Sequence, residues 1–174
     1  SALSFNRPLT QYLAKAHPSE RFALPPGDTR GTHWHASARQ RAICFGGSAQ
    51  FSCFSPFVVP DDEQFSLLQI WIANHDLPAV QTVEAGWQVY KEITGDFAPH
   101  LFVYYTTNGY AKDEDNQGGY NMDVDGWVQH DNLIFPGSTF APLSVIDGEQ
   151  RKISLKYQLF EGGVRSATIL RWPS

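Results

Sequence analysis

Thr82-Val83-Glu84-Ala85-Gly86-Trp87-Gln88-Val89-Tyr90 alternates between apolar and polar side chains. That is the period of a β-strand, in which successive side chains point to opposite faces of the sheet. Val83, Ala85, Trp87 and Val89 make an apolar face suited to a core, and Thr82, Glu84, Gly86, Gln88 and Tyr90 make the other. Glu84 is therefore expected on a polar groove or in solvent. The run at residues 65–73 reads the same way and pairs with residues 80–90 as a hairpin, with Leu68, Ile70 and Ile72 toward the core and Leu67, Gln69 and Trp71 on the Glu84 face. From residues 100–107, Phe102, Tyr104 and Thr106 are assigned to the same face, and Leu101, Val103 and Tyr105 to the core.

Working outward, short runs of this kind recur at residues 33–38, 40–45, 50–54, 126–132, 153–159 and 165–172, separated by turn clusters such as Phe135-Pro136-Gly137-Ser138 and Asp147-Gly148-Glu149-Gln150. The composition agrees: 14% aromatic residues, 14 Gly and 11 Pro but a single Met in 174 residues favour strands and turns over helices. The expected fold class is all-β, an antiparallel sandwich or barrel. Residues 33–174 form one domain, long enough for a sizeable core. Residues 1–32, with Pro8, Pro18 and Pro25-Pro26-Gly27, are read as an irregular arm with one short helical stretch at 9–16.

A net charge of −5 without clustered Lys or Arg excludes a nucleic-acid partner. No apolar run approaches the ~20 residues that span a bilayer, so no membrane span is expected. Cys44 and Cys53 flank Gly46-Gly47-Ser48-Ala49. A two-residue turn at Ser48-Ala49 would bring them opposite each other, leaving a cross-strand disulfide and two buried thiols as alternatives. His33 and His35 share one strand face, but no third ligand follows at a recognisable spacing. Asp113, Glu114, Asp115, Asp123 and Asp125 lack the calcium-loop spacing. No metal and no cofactor are expected. There is no G-x-S-x-G elbow and no phosphate-cradling glycine loop, which sets nucleophilic serine and nucleotide chemistry aside.

The Glu84 face remains as the candidate for chemistry. A carboxylate beside amides and phenols is able to take a proton from water, while a neighbouring donor stabilises the oxyanion on an attacked carbonyl. A solvated sheet face with ordinary polar residues fits the same pattern.

The order of motifs adds to this. Phe45-Gly46-Gly47-Ser48-Ala49-Gln50 is followed by Phe65-Ser66-Leu67-Leu68-Gln69-Ile70-Trp71 and then Glu84-Ala85-Gly86-Trp87-Gln88-Val89. Leu101-Phe102-Val103-Tyr104-Tyr105-Thr106, Gly119-Tyr120-Asn121 and Gly126-Trp127-Val128-Gln129 come next. From about His33 to Gln129 this succession resembles the neprosin family, whose members carry F-S-L-S-Q-I-W, I-E-A-G-W-Q-V, L-F-x-Y-W-T and G-C-Y-N-x-x-C-x-G-F-x-Q in that order. The resemblance implies an antiparallel β-sandwich and a secreted glutamic endopeptidase that cleaves after proline. It implies that Glu84 is one of two catalytic glutamates activating a water.

Two departures matter. The paired cysteines of the family's G-C-Y-N-x-x-C correspond to Gly119 and Val124, so both halves of that disulfide are lost together. The family's second glutamate lies in a W-G-G-E motif, whereas this sequence ends at Arg171-Trp172-Pro173-Ser174. Either Trp172-Pro173-Ser174 matches the family's Y-W-P, or Phe160-Glu161-Gly162-Gly163-Val164 stands in place of W-G-G-E, and Glu161 beside two glycines reads as a surface turn.

Other glutamic peptidases pair Glu with Gln, which makes Gln69 and Gln88 candidate partners of Glu84, with Gln88 taken as the catalytic one. Gln69, Trp71, Tyr104 and Thr106 are candidates to bind a peptide or protein substrate. The alternative is a non-catalytic binding, toxin or effector domain using the same aromatic groove for a peptide, glycan or protein. If the family's last strands are absent, the sheet edge that receives them calls for the arm, a second copy or another chain to cover it.

Overall fold

The computed structural model describes residues 36–60, 65–111 and 118–160, together with the backbone of residues 165–171. Two compact units divide between Ile43 and Cys44. Of the first, residues 36–43 are described; they lack regular secondary structure and all are exposed. The expected arm at residues 1–32 and the His33/His35 pair lie outside the described residues.

The second unit, Cys44–Ser174, holds the strands: β1 Gly46–Ser52, β2 Ser66–Asn74, β3 Gln81–Val89, β4 His100–Thr106, β5 Gly119–Tyr120, β6 Lys152–Leu159 and β7 Arg165–Arg171. A single helical turn, Lys91–Thr94, separates β3 from β4, and a 3-10 turn, Asn121–Asp123, follows β5. The strands make two antiparallel sheets, β1-β6-β7 and β2-β3-β4-β5. This is an all-β fold, and one core joins both sheets. Ala85, Trp87 and Val89 of β3 and Leu101 and Val103 of β4 cluster with Ile153, Leu155 and Tyr157 of β6. The Trp87 indole N–H ties the layers by donating to the Ser52 carbonyl at 2.9 Å. Strand β6 shows how the sequence selects its layer: Ile153, Leu155 and Tyr157 are buried while Lys152 and Lys156, on the opposite face, are exposed.

Strand β3 has β2 on one side and β4 on the other, and its register follows the alternation. Ile70 and Ile72 stand opposite Ala85 and Val83 and pack against the core, whereas Leu68, opposite Trp87 and expected in the core, is 39% exposed; Trp71 and Tyr104 flank Glu84 on the other face. Gly86 fixes the close approach of β2 and β3, because a Cβ there would overlap the Leu68 carbonyl oxygen and crowd the Gln69 Cα at 2.7 Å.

Three local expectations differ from the structure. Residues 50–54 belong to the longer strand β1, which runs through Ser48 and Ala49 without turning, because every residue from Gly46 to Ser52 pairs with β6. That strand, about 20 Å long at the rise of a β-strand, separates Cys44 from Cys53. Both are unpaired, since a disulfide needs Cα atoms within ~7 Å. Described residues 36–45 form no strand; Ile43 and Phe45 stay exposed, so their alternation has no face to bury. Residues 126–132 are irregular as well. There Gly126 takes φ 103 and the Asp131 carboxylate accepts from the Leu133 and Ile134 amides, satisfying backbone locally in place of a ladder. Among the described residues, no helix is long and apolar enough to cross a membrane.

Gly86→Ala is expected to lower folding stability by about 3 kcal/mol, at the upper end of ordinary overpacking, because backbone rather than a movable side chain meets the new methyl. Urea denaturation checks this; an unchanged midpoint would show that β2 and β3 separate without penalty.

Candidate functional site

Glu84 sits in the middle of β3, between Trp71 on β2 and Tyr104 on β4, with only 7% of its surface exposed. It faces away from the core, as the alternation requires, yet it is covered. A charged carboxylate in such a place needs donors, because desolvation without hydrogen bonds is very unfavourable. Two hydroxyls supply them. The Thr82 hydroxyl donates to Glu84 Oε1 at 2.8 Å, and the Tyr110 phenol donates to the same oxygen at 2.6 Å. Among the described residues no hydrogen bond reaches Glu84 Oε2, and no cation pairs with the carboxylate.

Tyr110 arrives from the loop after β4. Its backbone lies in the left-handed region at φ 66, directly after Gly109 at φ 70, a conformation in which a bulky aromatic residue is an outlier. Hydrogen bonds hold it there: the Tyr110 amide donates to Thr106 Oγ1 at 3.1 Å, and the Gly109 amide donates to the Val80 carbonyl at 2.8 Å. The Tyr110 ring stacks on Tyr104, with centroids 5.9 Å apart and planes 16° from parallel. Tyr120, paired with Tyr104 across β4 and β5, meets the Tyr104 ring edge-on at 4.7 Å. Three tyrosines thus wall the carboxylate, and burial followed by the Glu84 charge pushes the Tyr104 and Tyr110 phenols above their ordinary range. Burial does the same to Tyr120, reinforced by Tyr104 and Glu84. All three are neutral donors at physiological pH.

The residues expected at the site are distributed as follows. Trp71 and Tyr104 are the cross-strand neighbours of Glu84, and Trp71 is 47% exposed, an open aromatic surface beside the carboxylate. Gln69 stands opposite Gly86 on the same face, and its side-chain oxygen is buried without a hydrogen-bond partner among the described residues. Gln88 is fully buried, and among the described residues neither end of its amide has a hydrogen-bond partner. It lies four residues from Glu84, about 13 Å along the strand. Thr106 is buried, with its hydroxyl turned to the backbone of the Tyr110 loop.

Tyr110 itself escapes a reading by alternation because it lies past the end of a strand. The available signal is Asn108-Gly109, a dipeptide that marks a tight turn back over the strand end. Asn121, from the Gly-Tyr-Asn motif, also has a structural role: at φ 49 its side-chain oxygen accepts the Val103 amide at 3.1 Å, capping the short β4–β5 pairing.

Elsewhere, a cavity of about 260 Å³ opens beside His100, lined by Thr94, Asn121 and Asp123 among others, and Glu84 and its hydroxyl donors are not part of it. His100 hydrogen-bonds the Gly137 carbonyl at 2.7 Å and the Asp96 carboxylate at 2.8 Å. Burial pushes the Cys53 thiol up to about 12, which leaves it protonated and unreactive at neutral pH. Among the described residues no three His, Cys, Asp or Glu side chains converge on a metal position.

The raised phenols have a consequence for stability. Tyr157, in the core, is pushed up by burial and then by the Glu84 charge, so four of the seven tyrosines titrate above the unfolded value of about 10. A raised folded value means that the stabilisation is complete below pH ~10 and is lost as pH rises toward the folded values, since the unfolded chain ionises first. Denaturation midpoints should therefore hold from pH 8 to 9.5 and fall steeply above pH 10, with phenolate absorbance at these positions appearing together with unfolding. Ordinary titration of all seven in the folded protein would contradict this.

The order of these motifs and the two-sheet architecture agree with a comparison of the whole sequence: the model of the family described as Neprosin matches residues 62–161, more than half of the 174 residues. This chain belongs to the neprosin family.

Proposed function

We propose that the chain carries the peptide-hydrolysing chemistry of a glutamic peptidase, with Glu84 as the base that activates water. One observation carries the reading. Both hydroxyl donors bind Glu84 Oε1, so Oε2 is left as the basic oxygen of a carboxylate held in one orientation. Glu84 Oε2 takes a proton from water as the water oxygen bonds to the scissile carbonyl carbon, and the carbonyl π pair moves onto oxygen. As the C–N bond then breaks, the carboxylic acid returns its proton to the leaving nitrogen, so the carboxylate is regenerated. Trp71 and Tyr104, the cross-strand neighbours of Glu84, offer aromatic surfaces for an apolar or proline side chain. Secretion, cleavage after proline and a partner strand on β2 belong to the same proposal. Strand β2 is the edge of its sheet among the described strands, and it lacks the charges and prolines that usually guard an edge.

A binding domain using the same groove is the second reading. It is favoured by the fact that, among the described residues, Glu84 is hydrogen-bonded by hydroxyls alone and by no second carboxylate or amide. Fluorogenic proline-containing peptides separate the two. Under the peptidase reading Glu84→Gln lowers kcat/KM by about 10³-fold, the size expected for loss of a general base. Wild-type protein that binds such peptides without cleaving them would instead make this a binding domain.

A further inference from the structure

We infer that Tyr110 is a catalytic residue of this site, the donor that stabilises the oxyanion formed when Glu84-activated water attacks a peptide carbonyl. The inference rests on the reading of Glu84 as the base. Of the two hydroxyls on Glu84 Oε1, that of Thr82 is buried in the sheet, whereas Tyr110 is 44% exposed. A substrate reaching the carboxylate from solvent therefore meets the phenol. Its oxygen lies 2.6 Å from Glu84 Oε1, so a carbonyl brought within reach of a water on Glu84 is also within reach of the phenol O–H.

The donor is also held in position. Two backbone hydrogen bonds fix the loop, the Tyr104 ring supports one face, and φ 66 at a tyrosine is a strained geometry of the kind that persists where the surroundings over-determine it. In the reaction the phenol keeps its proton throughout. It turns its hydrogen bond from Glu84 Oε1 to the oxygen that gains the carbonyl π pair, and returns when the C–N bond breaks and the carbonyl re-forms. Thr82 continues to hold Oε1 while the phenol is engaged, so the carboxylate is never without a donor.

Tyr110→Phe tests this while keeping the ring that stacks on Tyr104. On a cleaved proline-containing peptide the variant should lose about 10²-fold in kcat, the usual effect of removing one oxyanion donor, with KM nearly unchanged. A second measurement uses the same peptide with its scissile amide replaced by hydroxyethylene. Wild type should bind this tetrahedral mimic more tightly than the parent peptide, and Tyr110→Phe should remove that advantage while binding the parent equally well. Wild-type kcat in Tyr110→Phe alongside an inactive Glu84→Gln would overturn the assignment of Tyr110 and leave Glu84 as the base. Full activity in Glu84→Gln would overturn both. Equal affinity of wild type and Tyr110→Phe for the mimic would overturn the assignment without reference to turnover.

Discussion

Everything at the site depends on one strand paired on both sides. Strand β3 has β2 and β4 as neighbours, and because its side chains alternate strictly, the residues that build the core and those that build the site are fixed by the same register. A one-residue slip would turn Trp87 and Val89 to the outer face and Glu84 and Gln88 into the core, exchanging hydrophobic burial for buried polar groups. Gly86 makes the slip harder still: only a residue without Cβ fits against the Leu68 carbonyl, so the register is held by packing as well as by pattern. The position of Glu84 is therefore inherited from the stability of the sandwich and not from a flexible loop.

That inheritance explains the electrostatics. A carboxylate 7% exposed and without a cation among the described residues is stabilised by short hydrogen bonds from neutral hydroxyls. Neutral donors differ from a cation in their effect. An Arg or Lys at the same distance would add a net positive charge to the site, whereas hydroxyls orient the carboxylate without adding one. The aromatic wall keeps the local dielectric low, which strengthens each of these contacts and keeps the phenols protonated.

The alternation of β2, β3 and β4 made the sheet, its register and the Glu84 face legible in the sequence, because a period-two pattern with large apolar residues on one side has few other ways to be buried. Trp71 and Tyr104 came with it, as cross-strand neighbours of Glu84. What escaped the pattern was decided by partners distant in sequence or by local backbone. The turn expected at Ser48-Ala49 yields to pairing with β6, about a hundred residues away, and no local signal announces that partner. At residues 126–132 the Asp131 side chain meets backbone donors that a strand would have used. Tyr110 is invisible to periodicity because its contact with Glu84 depends on a left-handed turn and not on a strand position.

The same face carries groups that stability alone does not account for. Gln69 Oε1 and both ends of the Gln88 amide are buried without partners, and each such group destabilises a fold by roughly 1–3 kcal/mol. Apolar residues of similar size would relieve that penalty without disturbing the alternation, since Leu67 already occupies the position opposite Gln88. Among the described residues these amide atoms have no partner, so the face carries a polar penalty that the strand pattern alone does not require. The polar composition of this face is therefore not a by-product of the alternation that builds the core.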